Sequence, residues 1–92
     1  MKKYKTKYDM SFALDEPNVY CNINHVKNKK IIKNRHNKSI PVIHFKKGKI
    51  VQVESYQYGF YMVKYDDNVC KIHPVDFIER NLICIPEERK YY

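Results

Sequence analysis

Glycine is almost absent from this chain, with two in 92 residues, Gly48 and Gly59. Serine and threonine are scarce as well, at three and one. That leaves no material for a glycine-rich phosphate loop or a G-x-S-x-G nucleophile elbow. The longest apolar runs are four or five residues, too short to cross a bilayer. Met1-Lys2-Lys3-Tyr4-Lys5 starts like a signal-peptide head, but no apolar stretch follows it. The three cysteines, Cys21, Cys70 and Cys84, are odd in number and widely spaced, which predicts reduced, buried thiols in a cytoplasmic protein and no disulfide framework. A single domain of this length buries only about 60–65% of its unfolded surface. Its core is thin, and a deep substrate pocket is hard to build beside it. An enzyme is therefore not expected.

The other absence is of acid, and it is local. Residues 17–53 hold eight Lys, one Arg and no Asp or Glu, a net +9, while residues 1–16 carry +1 and residues 54–92 carry −2. The whole chain is +8. Fifteen Lys against three Arg, with much Asn, Ile and Tyr, are the products of A/T-rich codons. That composition fits a low-GC bacterium, or one of its phages or plasmids, and it inflates the lysine count. It does not explain why an acid-free run of 37 residues sits in a chain with ten acids.

The chain is organised around residues 46–77. Val, Ile, Tyr and Phe dominate three runs, 49–56, 60–65 and 69–73, as they do on a pleated, half-buried surface. Lys46-Lys47-Gly48, Gln57-Tyr58-Gly59 and Asp66-Asp67-Asn68 are the turns. Pro74 suits a first helical position and Asp76 the positive end of a helix, so one helical turn follows. Further strands are expected at 19–26 and 40–45, with a last one at 82–85 stopped by Pro86. Residues 1–10 read as a frayed arm without periodicity. Residues 11–16 read as a helical turn capped by Ser11, and 27–38 as a strand fragment or long loop held by Ile31-Ile32. Val51 and Val53, Tyr61, Val63 and Tyr65, and Cys70 and Ile72 each share a face. With Val42 or Ile43, Phe77, Ile78, Leu82 and Ile85 they make the expected core.

Lys47-Gly48-Lys49-Ile50-Val51, Tyr61-Met62-Val63-Lys64-Tyr65-Asp66-Asp67 and Ile72-His73-Pro74-Val75-Asp76-Phe77 resemble the SH3-like barrels of the Tudor, KOW and bacterial SH3 groups. The resemblance covers about residues 40–85, half the chain. It implies an all-β, five-stranded SH3-like barrel at 40–86, a basic N-terminal extension at 1–39 packed against it, and a tail at 87–92. It also implies a binding module, although fold alone does not choose the ligand.

Four sets of residues carry candidate chemistry. Lys27, Lys29, Lys30, Lys33, Arg35, Lys38, Lys46, Lys47 and Lys49 could neutralise phosphates of nucleic acid or a ribonucleoprotein, with salt-dependent and largely sequence-blind affinity; the bland alternative is a solvated face. Tyr56, Tyr58 and Phe60, near Tyr61 and Tyr65, could anchor a protein partner or cage a methylated cation; the alternative is core and barrel-end cover. Cys21, His25, Cys70 and His73 have loose zinc-like spacing, but the odd separation of Cys70 and His73 sets them on opposite strand faces, so no metal or cofactor is expected. Asp66-Asp67 and Glu87-Glu88 read as a solvated turn and tail. The leading expectation is a non-enzymatic nucleic-acid or ribonucleoprotein binder. The alternative is a module that docks on an acidic host protein, with lysines steering association.

Overall fold

A computed structural model describes residues 2–86; the expected tail at 87–92 lies outside the described residues. The fold is mostly β. Nine strands run in the order β1 Lys2–Thr6, β2 Met10–Ala13, β3 Val19–Cys21, β4 Lys30–Lys33, β5 Ser39–Phe45, β6 Ile50–Ser55, β7 Phe60–Asp66, β8 Val69–Pro74 and β9 Leu82–Cys84. A short helix, α1 Val75–Asn81, joins β8 to β9, and one 3-10 turn, Ile23–His25, follows β3. The strands form two antiparallel sheets, β3-β8-β7-β6-β1-β9 and β2-β5-β4, which do not close into a barrel among the described residues. No helix of the described residues is long and apolar enough to cross a membrane.

The central meander, β6-β7-β8, stands where the apolar runs put it. The N-terminal third differs from expectation. Residues 2–6 are no frayed arm. They form β1, the strand between β6 and β9, in register Tyr4↔Val51 and Tyr4↔Cys84. Lys3 and Lys5 alternate with Tyr4 and buried Thr6, a period-2 pattern that turns one side inward. Ser11 caps no helix either. It lies in β2, and its hydroxyl pairs with His44 Nδ1 at 2.7 Å across the strands. The strand expected over 19–26 stops at Cys21. Ser39–Phe45 joins the smaller sheet, not the meander. Lys2–Lys5, in the expected extension, thus pairs with β6 of the expected barrel segment.

The core is built from Val51, Val53, Val63, Tyr65, Val69, Ile43, Phe45, Phe12, Leu14, Val19, Val26, Ile78 and Leu82. Three rings join the two sheets: Phe12 and Phe45 of the smaller lie 5.8 Å apart, and Tyr65 of the larger sits 5.1 and 4.9 Å from them. Along β8 the inward face carries Val69 and His73, not Cys70 and Ile72 as expected. The regular register Tyr61↔His73 and Val63↔Lys71 sets this parity, because residues in register share a face. The thiols were expected to be buried. Instead Cys84 is exposed, Cys21 and Cys70 are half-buried, and all three are free.

Candidate nucleic-acid interface

The β4–β5 hairpin is the element that positions half of the expected cations. Its register runs from Lys30↔Val42 to Lys33↔Ser39, while β2 covers β5 only from Val42 to Phe45. The Leu14 N–H still reaches the Pro41 carbonyl at 2.8 Å, and beyond Pro41 the hairpin is a free two-stranded ribbon. All four residues of β4 are exposed, Ile31 and Ile32 at 57% and 49%. The turn at 34–38 holds itself: Asn34 Oδ1 accepts from the backbone N–H of His36 at 2.9 Å and of Lys38 at 3.1 Å, and Asn37 takes φ 59°. Asn tolerates that left-handed conformation at little cost. Lys30, Lys33, Arg35 and Lys38 all stand exposed on this arm.

A second group gathers at the opposite end of β5. Lys27, Lys46 and Lys49 line an open concavity of about 300 Å³ with His44 and Asp66. The turn between β5 and β6 is clamped by buried Thr6. Its hydroxyl donates to the Lys46 carbonyl at 3.2 Å and accepts from the Lys49 N–H at 3.1 Å. Asp9 receives the Lys47 N–H at 2.7 Å, and Gly48 supplies the φ of 85° that the turn requires. At about 3.4 Å per residue the length of β5 separates the two groups by about 20 Å. Eight of the nine expected cations thus form an arm and a base. Lys29 belongs to neither, because its half-buried chain carries Nζ to the Ile23 carbonyl at 2.6 Å.

The ion pairs among the described residues are Lys71 with Glu16 and His44 with Asp9, and neither uses a cation of the arm. Lys71, which also covers the Phe12 ring at 4.8 Å, holds the Glu16 carboxyl below its ordinary range by a hydrogen bond.

Cations that the sequence reading passed over lie on the outer face of the larger sheet. Lys3 pairs with Gln52 and Gln52 with Lys64, while Lys5 pairs with Ile50. Residues in register share a face, so Lys3, Lys5 and Lys64 stand together there. The alternation of Lys with Tyr4 and Thr6 was the signal that could have found the first two.

The aromatic set divides. Tyr56, Tyr58 and Phe60 are exposed at the β6–β7 turn, Tyr58 at 91%. Tyr61 lines an open groove of about 460 Å³ with Tyr4, Glu54, Glu79 and Ile78. Burial foremost, then Cys84 and Tyr61, pushes the Tyr4 hydroxyl above its usual range. Tyr65 is core, and its hydroxyl bonds His73 Nε2 at 2.8 Å inside the protein. His73 stacks on Phe77 at 3.7 Å, and burial, then Lys71, pulls its pKa down to about 4. Among the described residues no three His, Cys, Asp or Glu side chains meet as a metal site. Cys21 is in register with Val69 on the inward face, whereas Cys70 pairs with Tyr20 on the outer one.

No protein-family model, no curated protein and no solved structure matches the chain.

Proposed function

We propose that this chain is a non-enzymatic binding module for nucleic acid or a ribonucleoprotein, with the β4–β5 arm as its contact element. One observation carries the proposal: a ribbon exposed on every residue of β4 bears Lys30, Lys33, Arg35 and Lys38 and no acid. Such a surface neutralises phosphates and releases counterions without needing a pocket. The base cations Lys27, Lys46, Lys47 and Lys49 extend the contact, and the clamped turn presents them without an ordering cost at binding.

The scaffold we propose is an SH3-like sheet. The strand order β9-β1-β6-β7-β8, with a helical element before the last strand, supports this. In it Lys2–Thr6 plays the first strand, and residues 7–49 are one long insertion before the second. The arm belongs to that insertion.

Titrating the protein against duplex DNA, single-stranded DNA and structured RNA across about 50–300 mM salt tests the proposal. Micromolar or tighter binding near 150 mM, with a log–log slope of several units, is expected; no binding above background there defeats it.

A second reading rests on Tyr58, whose φ of 52° holds an almost fully exposed ring at a turn tip. There Tyr56, Tyr58 and Phe60 would anchor a protein partner. That reading predicts one stoichiometric partner, lost on Tyr58→Ala, with no dependence on Arg35.

A further inference from the structure

We infer that the β4–β5 arm enters the major groove of B-form duplex DNA. The inference rests on the nucleic-acid reading above and narrows it to one ligand. Three features lead to it. The first is shape. The free part of the ribbon runs from Pro41 to Ser39, about 7 Å at 3.4 Å per residue, and the 34–38 turn extends it further. The major groove is about 12 Å wide and about 8.5 Å deep, and it admits a two-stranded ribbon. The arm is long enough to bring Arg35 to the groove floor while Lys30 and Lys33 stay beside the phosphate walls. The A-form major groove is too narrow for side chains, and the shallow A-form minor groove calls for no projecting element.

The second is composition. Single-strand binders stack bases on aromatic rings. Residues 30–41 hold no Phe, Tyr or Trp, and His36 is their one aromatic ring. They hold instead what a duplex groove takes: Arg35 for a guanine edge, Lys30, Lys33 and Lys38 for phosphates, and Ile31 and Ile32 as apolar contacts for thymine methyls.

The third is division of labour. Lys30 and Lys33 are three apart on a strand and so point to opposite faces. A ribbon lying flat on a backbone would use one face. A ribbon between two phosphate walls uses both.

The test takes the full chain with a labelled duplex of about 20 base pairs containing G·C steps and an A/T run, its RNA counterpart, and one DNA strand alone. The duplex DNA is expected to bind at least about tenfold tighter than either other ligand. Methyl green, which occupies the major groove, should displace the protein, and netropsin, which occupies the minor groove, should not. Arg35→Ala should weaken duplex DNA about tenfold. Arg35 is exposed at a turn that Asn34 holds, so the variant should melt at the parental temperature, checked alongside. Displacement by netropsin alone overturns the groove assignment. Equal or tighter binding of RNA or single-stranded DNA overturns it too, and both results leave the nucleic-acid reading standing. Binding of none of the three removes both.

Discussion

The outer end of the β4–β5 hairpin, residues 30–41, carries four cations and no aromatic ring but His36, whereas the turn of the β6–β7 hairpin carries three exposed aromatics and no cation. Their footings differ as much. Val51 and Val53 on β6, and Val63 and Tyr65 on β7, are buried, so the second hairpin is gripped along its length. Nothing grips β4, whose four residues are all exposed. Each turn has a non-glycine residue at positive φ, but of different kinds. The gripped hairpin holds Tyr58 there, a strained choice, and the free arm holds Asn37, a relaxed one. Packing energy underwrites strain at one turn. Where none is available, the turn is satisfied by its own Asn34 side chain.

Reversing charge on the arm should give the largest effect. Lys30→Glu, Lys33→Glu, Arg35→Glu and Lys38→Glu together are expected to weaken duplex binding about 100-fold or more and to lower the salt slope by about 3–4. Thermal stability should move by less than about 0.5 kcal/mol, since none of these side chains is buried. Anisotropy titrations at several salts, read with a melting curve, check both halves. A large loss of stability would mean that the arm is structural and the contrast between the hairpins false.

Acid should act on the gripped half alone. His73 has an ordinary pKa of 6.5 and a folded value of about 4. Below 6.5 the unfolded chain takes up a proton that the folded one refuses until about 4. Stability is thus full above 6.5 and falls by about 3 kcal/mol as pH drops to 4, with no further loss from this group below that. Glu16, held low by Lys71, takes over beneath its own ordinary value. Urea midpoints at about pH 7, 5.5 and 4.5 should fall in step; a flat profile would mean that water reaches the imidazole.

Tyr65→Phe tests the same centre at neutral pH. It removes the hydrogen bond to the His73 imidazole and leaves Nε2 unpaired in the core. The expected cost is about 2 kcal/mol, or about 10 °C in Tm. DNA affinity should not change. Calorimetry beside one titration settles it.

These contrasts also show what the linear chain discloses. The meander was legible because Val, Ile, Tyr and Phe run in unbroken stretches between turn residues. The basic arm was legible as composition, because 37 residues lack acid. Its shape was not, since Lys30-Ile31-Ile32-Lys33 pairs with Ser39-Ile40-Pro41-Val42 only through a turn whose cause, the Asn34 side chain, is one residue long. β1 was missed because Lys2 beside Lys3 breaks its alternation, and because its partners lie 45 and more residues away. The inward face of β8 was misread because polar Lys71 and His73 alternate with apolar Cys70 and Ile72, whereas the register with Val63 and Tyr61 turns the polar pair inward.

The smallest effect is expected at Tyr58, with a sign opposite to most substitutions. Tyr58 and Gly59 have φ of 52° and 76°, and the Phe60 N–H reaches the Gln57 carbonyl at 2.9 Å. Two central residues at positive φ are what a type I′ hairpin turn needs, and Asn-Gly is its favoured pair. A non-glycine residue pays about 1–2 kcal/mol there, and Asn pays least because its side chain bonds the local backbone. Tyr58→Asn should therefore stabilise the protein by about 0.5–1 kcal/mol, a rise of a few degrees in Tm. Because the ring is 91% exposed, the loss of packing is too small to cancel that gain. Duplex affinity should stay within twofold of the parent. A variant that melts higher but binds nucleic acid more weakly would put Tyr58 in the same interface as Arg35. The two hairpins would then be two ends of one contact surface, and the strain at the gripped turn would be serving the ligand rather than a separate partner.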